Sequence, residues 1–199
     1  VRWLSLAIVL GAATACDRGS ADPKPPAKPA LAASPAKAQY LKLCAPCHGV
    51  EGKGGAADHA PSLVSPTFLD SATDSFIRQS IIFGRPGTSM GAYGKQLGGP
   101  LDDGSVDGLV AFIRGTHAQP KLLPPSGKGD PAKGEPLYIE YCKTCHGDSK
   151  IRGEAIHFAN LQFQKMATDP FIRYAIENGR PETKMLAFGK VMTPAQIDD

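Results

Sequence analysis

Neither sign of charge dominates this 199-residue chain, in which 22 Lys and Arg face 19 Asp and Glu for a formal excess of +3. So small a balance excludes the basic surface that nucleic-acid binding requires, and it leaves no strong field for steering partners. Long apolar runs are absent as well. The most apolar stretch extends only from Trp3 to Leu10, too short to stand across a bilayer as a permanent helix. No segment shows a convincing strand alternation of apolar and polar residues. Aromatic residues are few, at 7%, whereas 18 prolines and 22 glycines are present. That is a soluble, loop-rich composition, too rich in helix breakers for a simple helical bundle. The length allows one ordinary domain or two small ones.

The N-terminus reads as an export signal over residues 1–15. Arg2 supplies a short positive start, Trp3 to Leu10 an apolar stretch, and Ala13-Thr14-Ala15 small residues ahead of Cys16. Small residues directly before a cysteine resemble a bacterial lipoprotein cleavage box, with Ala13 standing where leucine is usual. Cys16 is then the lipidated first residue, and two acyl chains on it suffice for a stable anchor. Ordinary signal cleavage after Ala-x-Ala is the competing reading, and it cuts the same bond. Either way the mature protein works outside the cytoplasm. Residues 16–36 carry the anchor cysteine and a spacer of Ala, Pro and Lys, including Asp22-Pro23-Lys24-Pro25-Pro26, which favours extended segments and cannot bury a core.

Beyond the spacer the chain repeats itself. Cys44-Ala45-Pro46-Cys47-His48-Gly49 matches Cys142-Lys143-Thr144-Cys145-His146-Gly147 at an offset of 98, which also pairs His59 with His157 and Leu63 with Leu161. At an offset of 95, Phe76-Ile77-Arg78 matches Phe171-Ile172-Arg173, Gly84-Arg85-Pro86 matches Gly179-Arg180-Pro181, and Met90 matches Met185. Two copies of one small domain follow: residues 37–117 and 132–199, joined by a Pro/Gly-rich linker at 118–131.

Each copy reads as helix and loop. One helix runs into each Cys-x-x-Cys-His segment, over Ala36 to Cys47 and Pro136 to Cys145. A middle helix spans Asp74 to Phe83 and, in the second copy, Pro170 to Asn178 with Asp169 as its cap. A closing helix in the first copy carries the stripe Val106, Leu109, Val110 and Ile113. In the second copy Thr193-Pro194 starts a helix, but Asp199 is reached before any equivalent of Leu109, Val110 or Ile113. A fragment is the preferred reading, a domain lacking most of its closing helix the other.

Cys-x-x-Cys-His is the attachment signature of haem c. Two thiols one helical turn apart add to the haem vinyl groups as thioethers, and the next histidine reaches the iron. Covalent attachment suits copies of only about 70 to 80 residues, whose side-chain core alone is marginal. Zinc would require the two Cys-x-x-Cys pairs close together, and a thioredoxin-like dithiol would require a βαβ context. Neither applies.

With these motifs in place, each copy resembles a class I cytochrome c domain, and the pair resembles the dihaem cytochromes c. The resemblance implies an all-α fold of two tandem class I domains, each wrapped around a covalently bound haem. It implies two haems c, held through Cys44 and Cys47 and through Cys142 and Cys145. Gly84-Arg85-Pro86-Gly87-Thr88-Ser89-Met90 and Gly179-Arg180-Pro181-Glu182-Thr183-Lys184-Met185 match the family's methionine loop, which implies His48/Met90 and His146/Met185 as axial pairs. Thioether sulfur favours reduced iron and leaves no open position. His59 and His157 are rival ligands, also readable as polar loop residues. The family's loop proline, whose carbonyl meets the ligand histidine, corresponds to Pro61; the second copy has Ala159, whose carbonyl can serve equally. Arg85 and Arg180 either reach a propionate or fix the methionine loop. Met192 belongs to the core, and Tyr93 and Phe188 pack as aromatics near the haem.

The resulting expectation is a lipid-anchored electron carrier on the periplasmic side of a bacterial membrane, acting as a tethered shuttle or as a subunit of an electron-transfer complex. Its partners are redox proteins: a quinol-oxidising complex, a dehydrogenase or a terminal oxidase. A dihaem redox enzyme of peroxidase-like or sulfur-compound-oxidising type, with one substrate-accessible haem, is the alternative.

Overall fold

A computed structural model describes residues 34–115, 117 and 119–199. The expected leader (1–15), Cys16 and the spacer up to residue 33 lie outside the described residues. Among the described residues there are ten α-helices, one 3-10 turn at Lys95–Leu97 and no strand beyond an isolated bridge between Gly94 and Leu101. The all-α class expected from the sequence is what is found.

Side-chain caps set most of the boundaries. Ser34 accepts the Lys37 N–H and Pro35 takes the first helical position of α1 (Pro35–Leu43). The chain then breaks at Cys44 and resumes as the one-turn helix α2 (Ala45–His48). Two helices follow, α3 (Pro66–Ser71) and α4 (Asp74–Phe83), the latter capped by Thr73. α5 (Asp103–Arg114) is capped by Asp102. The second copy repeats the order as α6 (Pro131–Tyr141), α7 (Lys143–His146), α8 (Leu161–Met166), α9 (Asp169–Asn178) and α10 (Pro194–Asp198).

Three sequence expectations need correction. α6 starts at Pro131, not Pro136, because Asp130 caps that end by accepting the Ala132 N–H; Pro136 sits inside the helix. α9 is capped by Thr168, whose hydroxyl accepts the Phe171 N–H, so Asp169 is its first helical residue rather than its cap. α3 and α8 were not anticipated. Each is only six residues long, too short to display a helical period.

In the first copy α1 crosses α5, and the stripe Val106, Leu109, Val110 and Ile113 is buried against Tyr40, Ile77 and Ile81. Leu109 is fully buried, so Leu109→Ala should cost about 2–5 kcal/mol in thermal or denaturant unfolding, the range for truncating a buried leucine. In the second copy α10 occupies the corresponding place against α6, with Ile197 and Met192 buried.

The two copies share one core. Phe68 and Phe76 from the first pack on Phe163 and Phe171 from the second, with the Phe76 and Phe171 ring centroids 4.7 Å apart. Each of these phenylalanines has its repeat partner in the other copy at an offset of 95, so the packing is close to two-fold symmetric. Polar ties flank the aromatic cluster. Thr67 donates to the Gly179 carbonyl at 2.6 Å, and Tyr174 donates to Asp70 at 3.0 Å. The segment between the copies is tied down as well, since the Lys121 N–H donates to the Asp70 carbonyl and its ammonium pairs with the Asp70 carboxylate.

Candidate haem-binding sites

Each Cys-x-x-Cys-His segment is wound onto a single helical turn. The break before it has nearly the same backbone in both copies: Cys44 at φ −111°, ψ −41° and Cys142 at φ −118°, ψ −38°. His48 N–H and His146 N–H both donate to the carbonyl of the first cysteine at 2.9 Å. The turn therefore projects two thiols from one side and closes with the histidine. Burial, with help from the neighbouring Cys47, pushes the Cys44 thiol up to about 11, and burial also raises Cys142. Both are neutral thiols at physiological pH.

The histidines are oriented by carbonyls. His48, only 7% exposed, has Nδ1 2.9 Å from the Pro61 oxygen. The Nδ1 proton is thereby engaged and the Nε2 lone pair is left for a metal. Burial holds both imidazoles below their ordinary pKa, which favours the neutral ring that coordination needs. In the second copy, however, the acceptor is not Ala159. His146 Nδ1 lies 2.8 Å from the Ile156 oxygen, three residues earlier.

The reason is local. At Ala57 and Ala155 the copies correspond, both amides donating to the carbonyl of the second cysteine. The first copy then turns through Asp58 and His59 in the left-handed region, at φ 45° and 53°, before reaching Pro61. In the second copy the residue matching Asp58 is β-branched Ile156, which disfavours that region. The chain continues without the detour, and Phe158 stacks flat on the imidazole at 4.2 Å and 14°.

The methionine loops are built alike. Arg85 N–H donates to the Met90 carbonyl, Thr88 N–H and hydroxyl both donate to the Arg85 carbonyl, and Met90 N–H donates to the Thr88 hydroxyl. Arg180, Thr183 and Met185 repeat all four bonds. Gly84 and Gly179 open these loops at φ 63° and 62°, and a Cβ at either would strike the backbone around the methionine. Close approach and left-handed backbone together explain glycine there. In the first copy the loop is pinned to the cysteine segment on both sides. Ser89 N–H donates to Asp58 at 3.0 Å, and the Tyr93 hydroxyl donates to the Leu43 carbonyl at 3.1 Å. In the second copy Phe188 meets Tyr141 edge-on at 5.9 Å.

His157 is engaged elsewhere, its Nε2 2.5 Å from the Asp148 carbonyl. Arg85 and Arg180 both turn toward the boundary between the copies. Arg85 donates to Ser80 and the Gly84 carbonyl and lies over Phe76. Arg180 donates to Thr67 and Ser71 of the first copy and lies over Phe171 and Phe68. Neither has a carboxylate partner among the described residues, and burial pushes both down to about 10. Tyr40 and Tyr138 were missed by sequence reasoning. Each hydroxyl donates at 2.8 Å to the carbonyl of the glycine after the histidine, locking α1 or α6 to the turn. They stand at the same offset of 98 as the cysteines, which was the available signal.

The residues present suit haem c. Paired thiols share one turn with an imidazole whose free nitrogen is Nε2, and a thioether loop of matched construction is tied beside that turn.

Comparison with known proteins agrees. A family model described as cytochrome c oxidase, cbb3-type, subunit III matches residues 31–113 and again 129–199. The chain is 36% identical over 160 residues to the cbb3-type cytochrome c oxidase subunit FixP of Bradyrhizobium diazoefficiens, covering 76% of this chain and 51% of that protein. It is 29% identical over 179 residues to FixP of Azorhizobium caulinodans, covering 84% and 57%. With subunit CcoP of Azospirillum sp. it shares 29% over 123 residues, covering 57% and 38%. The chain thus spans about half the length of the curated relatives it matches. With both of its repeats matched by that family model, the chain belongs to the cbb3-type cytochrome c oxidase subunit III family.

Proposed function

We propose that this chain is the dihaem cytochrome c portion of a cbb3-type oxidase subunit, which passes single electrons through two haems to the terminal oxidase complex. One observation carries the reading: the chain presents the same Cys-x-x-Cys-His turn twice, each with its histidine Nδ1 held by a carbonyl. The bound haem supplies a one-electron iron couple. Cys44 and Cys47 would hold one haem and Cys142 and Cys145 the other. His48 Nε2 and Met90 would hold one iron, and His146 Nε2 and Met185 the other. Pro61 and Ile156 keep each imidazole in one tautomer and orientation. Arg85 and Arg180 would fix the methionine loops, since their guanidinium groups are engaged by Ser80 and the Gly84 carbonyl and by Thr67 and Ser71.

The names of the FixP and CcoP relatives support the assignment to an oxidase subunit. The leader at 1–15 is proposed to direct export, and Cys16 to carry the lipid anchor that holds residues 37–117 and 132–199 on the periplasmic side. Among the described residues no helix is long and apolar enough to cross a membrane.

The test is the full chain matured with haem c. Mass spectrometry should find two covalent haems that acidified acetone does not extract. The ferric protein should be wholly low-spin, with the weak far-red band of sulfur on iron. A high-spin component, or carbon monoxide binding to half of the haem, overturns the proposal in favour of a substrate-binding dihaem enzyme.

A further inference from the structure

The two methionine loops share their internal bonds but not their outer supports. Pro86 and Ser89 form the outer edge of the first loop, and the second copy grips Pro86 directly and Ser89 through Asp58. Asn160 Nδ2 donates to the Pro86 carbonyl at 2.8 Å, while the same side chain caps α8 through its oxygen. Arg152 reaches Asp58 with two prongs: Nη1 to Oδ1 at 3.1 Å and Nη2 to the Asp58 backbone carbonyl at 3.0 Å. Asp58 Oδ2 in turn accepts the Ser89 N–H, one residue before Met90.

The left-handed backbone of Asp58 is what lets its carboxylate face the loop and the arginine together. Arg152 itself stands on a turn fixed by Asp148, which accepts both the Lys150 and the Ile151 N–H. The second loop lacks this arrangement. Ile156 replaces Asp58 and Lys184 replaces Ser89; the first copy reaches only the start of this loop, where Thr67 and Ser71 meet Gly179 and Arg180, and near Met185 the tie is Lys184 to Glu154, within its own copy and highly exposed.

We infer that Arg152 and Asn160 of the second copy are positioning residues for Met90, acting through Asp58–Ser89 and through Pro86, so that the tip of the loop carrying Met90 is held by the other domain, whereas the loop carrying Met185 meets the other domain only at its start, through Gly179 and Arg180. The inference rests on Met90 and Met185 being the axial ligands. An arginine fork on a carboxylate that itself accepts a backbone N–H resists the outward swing by which a loop releases its ligand. Near Met185 the second loop has a solvent-exposed ion pair against such a swing, its ties to Thr67 and Ser71 lying at the far end of the loop.

Displacement of the thioether by added imidazole reads this directly, as loss of the far-red band in the full haem-loaded chain. A Met185→Ala background reports the Met90 site alone, and a Met90→Ala background reports the Met185 site. Arg152→Ala should lower the imidazole concentration for half-displacement at the Met90 site by about three- to fivefold, the upper range for losing an exposed ion pair with good geometry. At the Met185 site it should change less than about twofold. Asp58→Asn combined with Arg152→Ala should do no more than the larger single change, because both act through one bridge. Asn160→Ala serves if Arg152→Ala lowers haem loading, and it should shift the Met90 site in the same direction.

Unchanged imidazole affinity at the Met90 site overturns the inference, as does an equal shift at both sites. Full additivity of the Asp58 and Arg152 changes overturns it too. Should the unaltered chain lack the far-red band, the axial assignment is what fails, and the two failures are told apart.

Discussion

Met90→Ala should remove about half of the far-red absorbance of the ferric protein and leave the remainder unchanged, and Met185→Ala should remove the other half. The equality follows from the matched loops, in which a threonine hydroxyl fixes the methionine amide at 3.1 Å in both copies. The potential of the altered haem should fall, since thioether sulfur stabilises the ferrous state and its replacement by water or a nitrogen base does not. Its iron should become open to carbon monoxide, whereas the unaltered protein should bind none. Optical titration of each variant against a mediator series reads potential and band together. A band that survives Met185→Ala in full would exclude Met185 as a ligand. His157 is poorly placed to replace it, being engaged with the Asp148 carbonyl.

The second large effect lies away from both sites. Arg114 ends α5 and is 5% exposed. Its guanidinium donates to Asp74 at 2.7 Å and to the Leu69 and Ala72 carbonyls at the end of α3. One side chain thus satisfies the C-terminal carbonyls of α3, holds the start of α4 and fastens the closing helix to both. Arg114→Ala leaves two carbonyls without their donor and a cavity beneath them. It should cost about 3–5 kcal/mol and lower the melting temperature by roughly 10 °C, measured by circular dichroism at matched haem content. An exposed pair such as Lys53 with Glu51 would cost little by comparison. A loss under about 1 kcal/mol for Arg114→Ala would mean the interaction works as a surface pair does.

Local chemistry was read well where it depends on neighbours in sequence. α4 was expected from Asp74 to Phe83 and spans those residues, because Thr73 and Gly84 mark its ends and five apolar side chains recur at helical spacing between them. α5 shows its buried stripe for the same reason. The errors arose where two local signals competed. Asp130-Pro131 and Pro136 are both plausible helix starts, and only the chain's path selects the first. Thr168 and Asp169 are both good caps, and the cap that reaches the Phe171 amide prevails. Ala159 was aligned correctly with Pro61, but alignment says nothing about backbone handedness. A β-branched residue three positions earlier redirected the carbonyl.

The sequence by itself determined that there are two units, that each carries paired thiols next to an imidazole, and that each owns one methionine loop. These are properties of spacing along the chain, which a single turn of helix converts directly into geometry. Only the tertiary structure decided how the units meet. Phe68, Phe76, Phe163 and Phe171 read in sequence as ordinary core residues of separate domains. Their burial against one another follows from non-local packing, in which apolar area leaves water whichever copy supplies it. The same packing turned Arg180 toward Thr67 and Ser71 and brought Arg152 onto Asp58. No periodicity encodes such contacts, because their partners lie some hundred residues away and are chosen by shape and charge after the helices have formed.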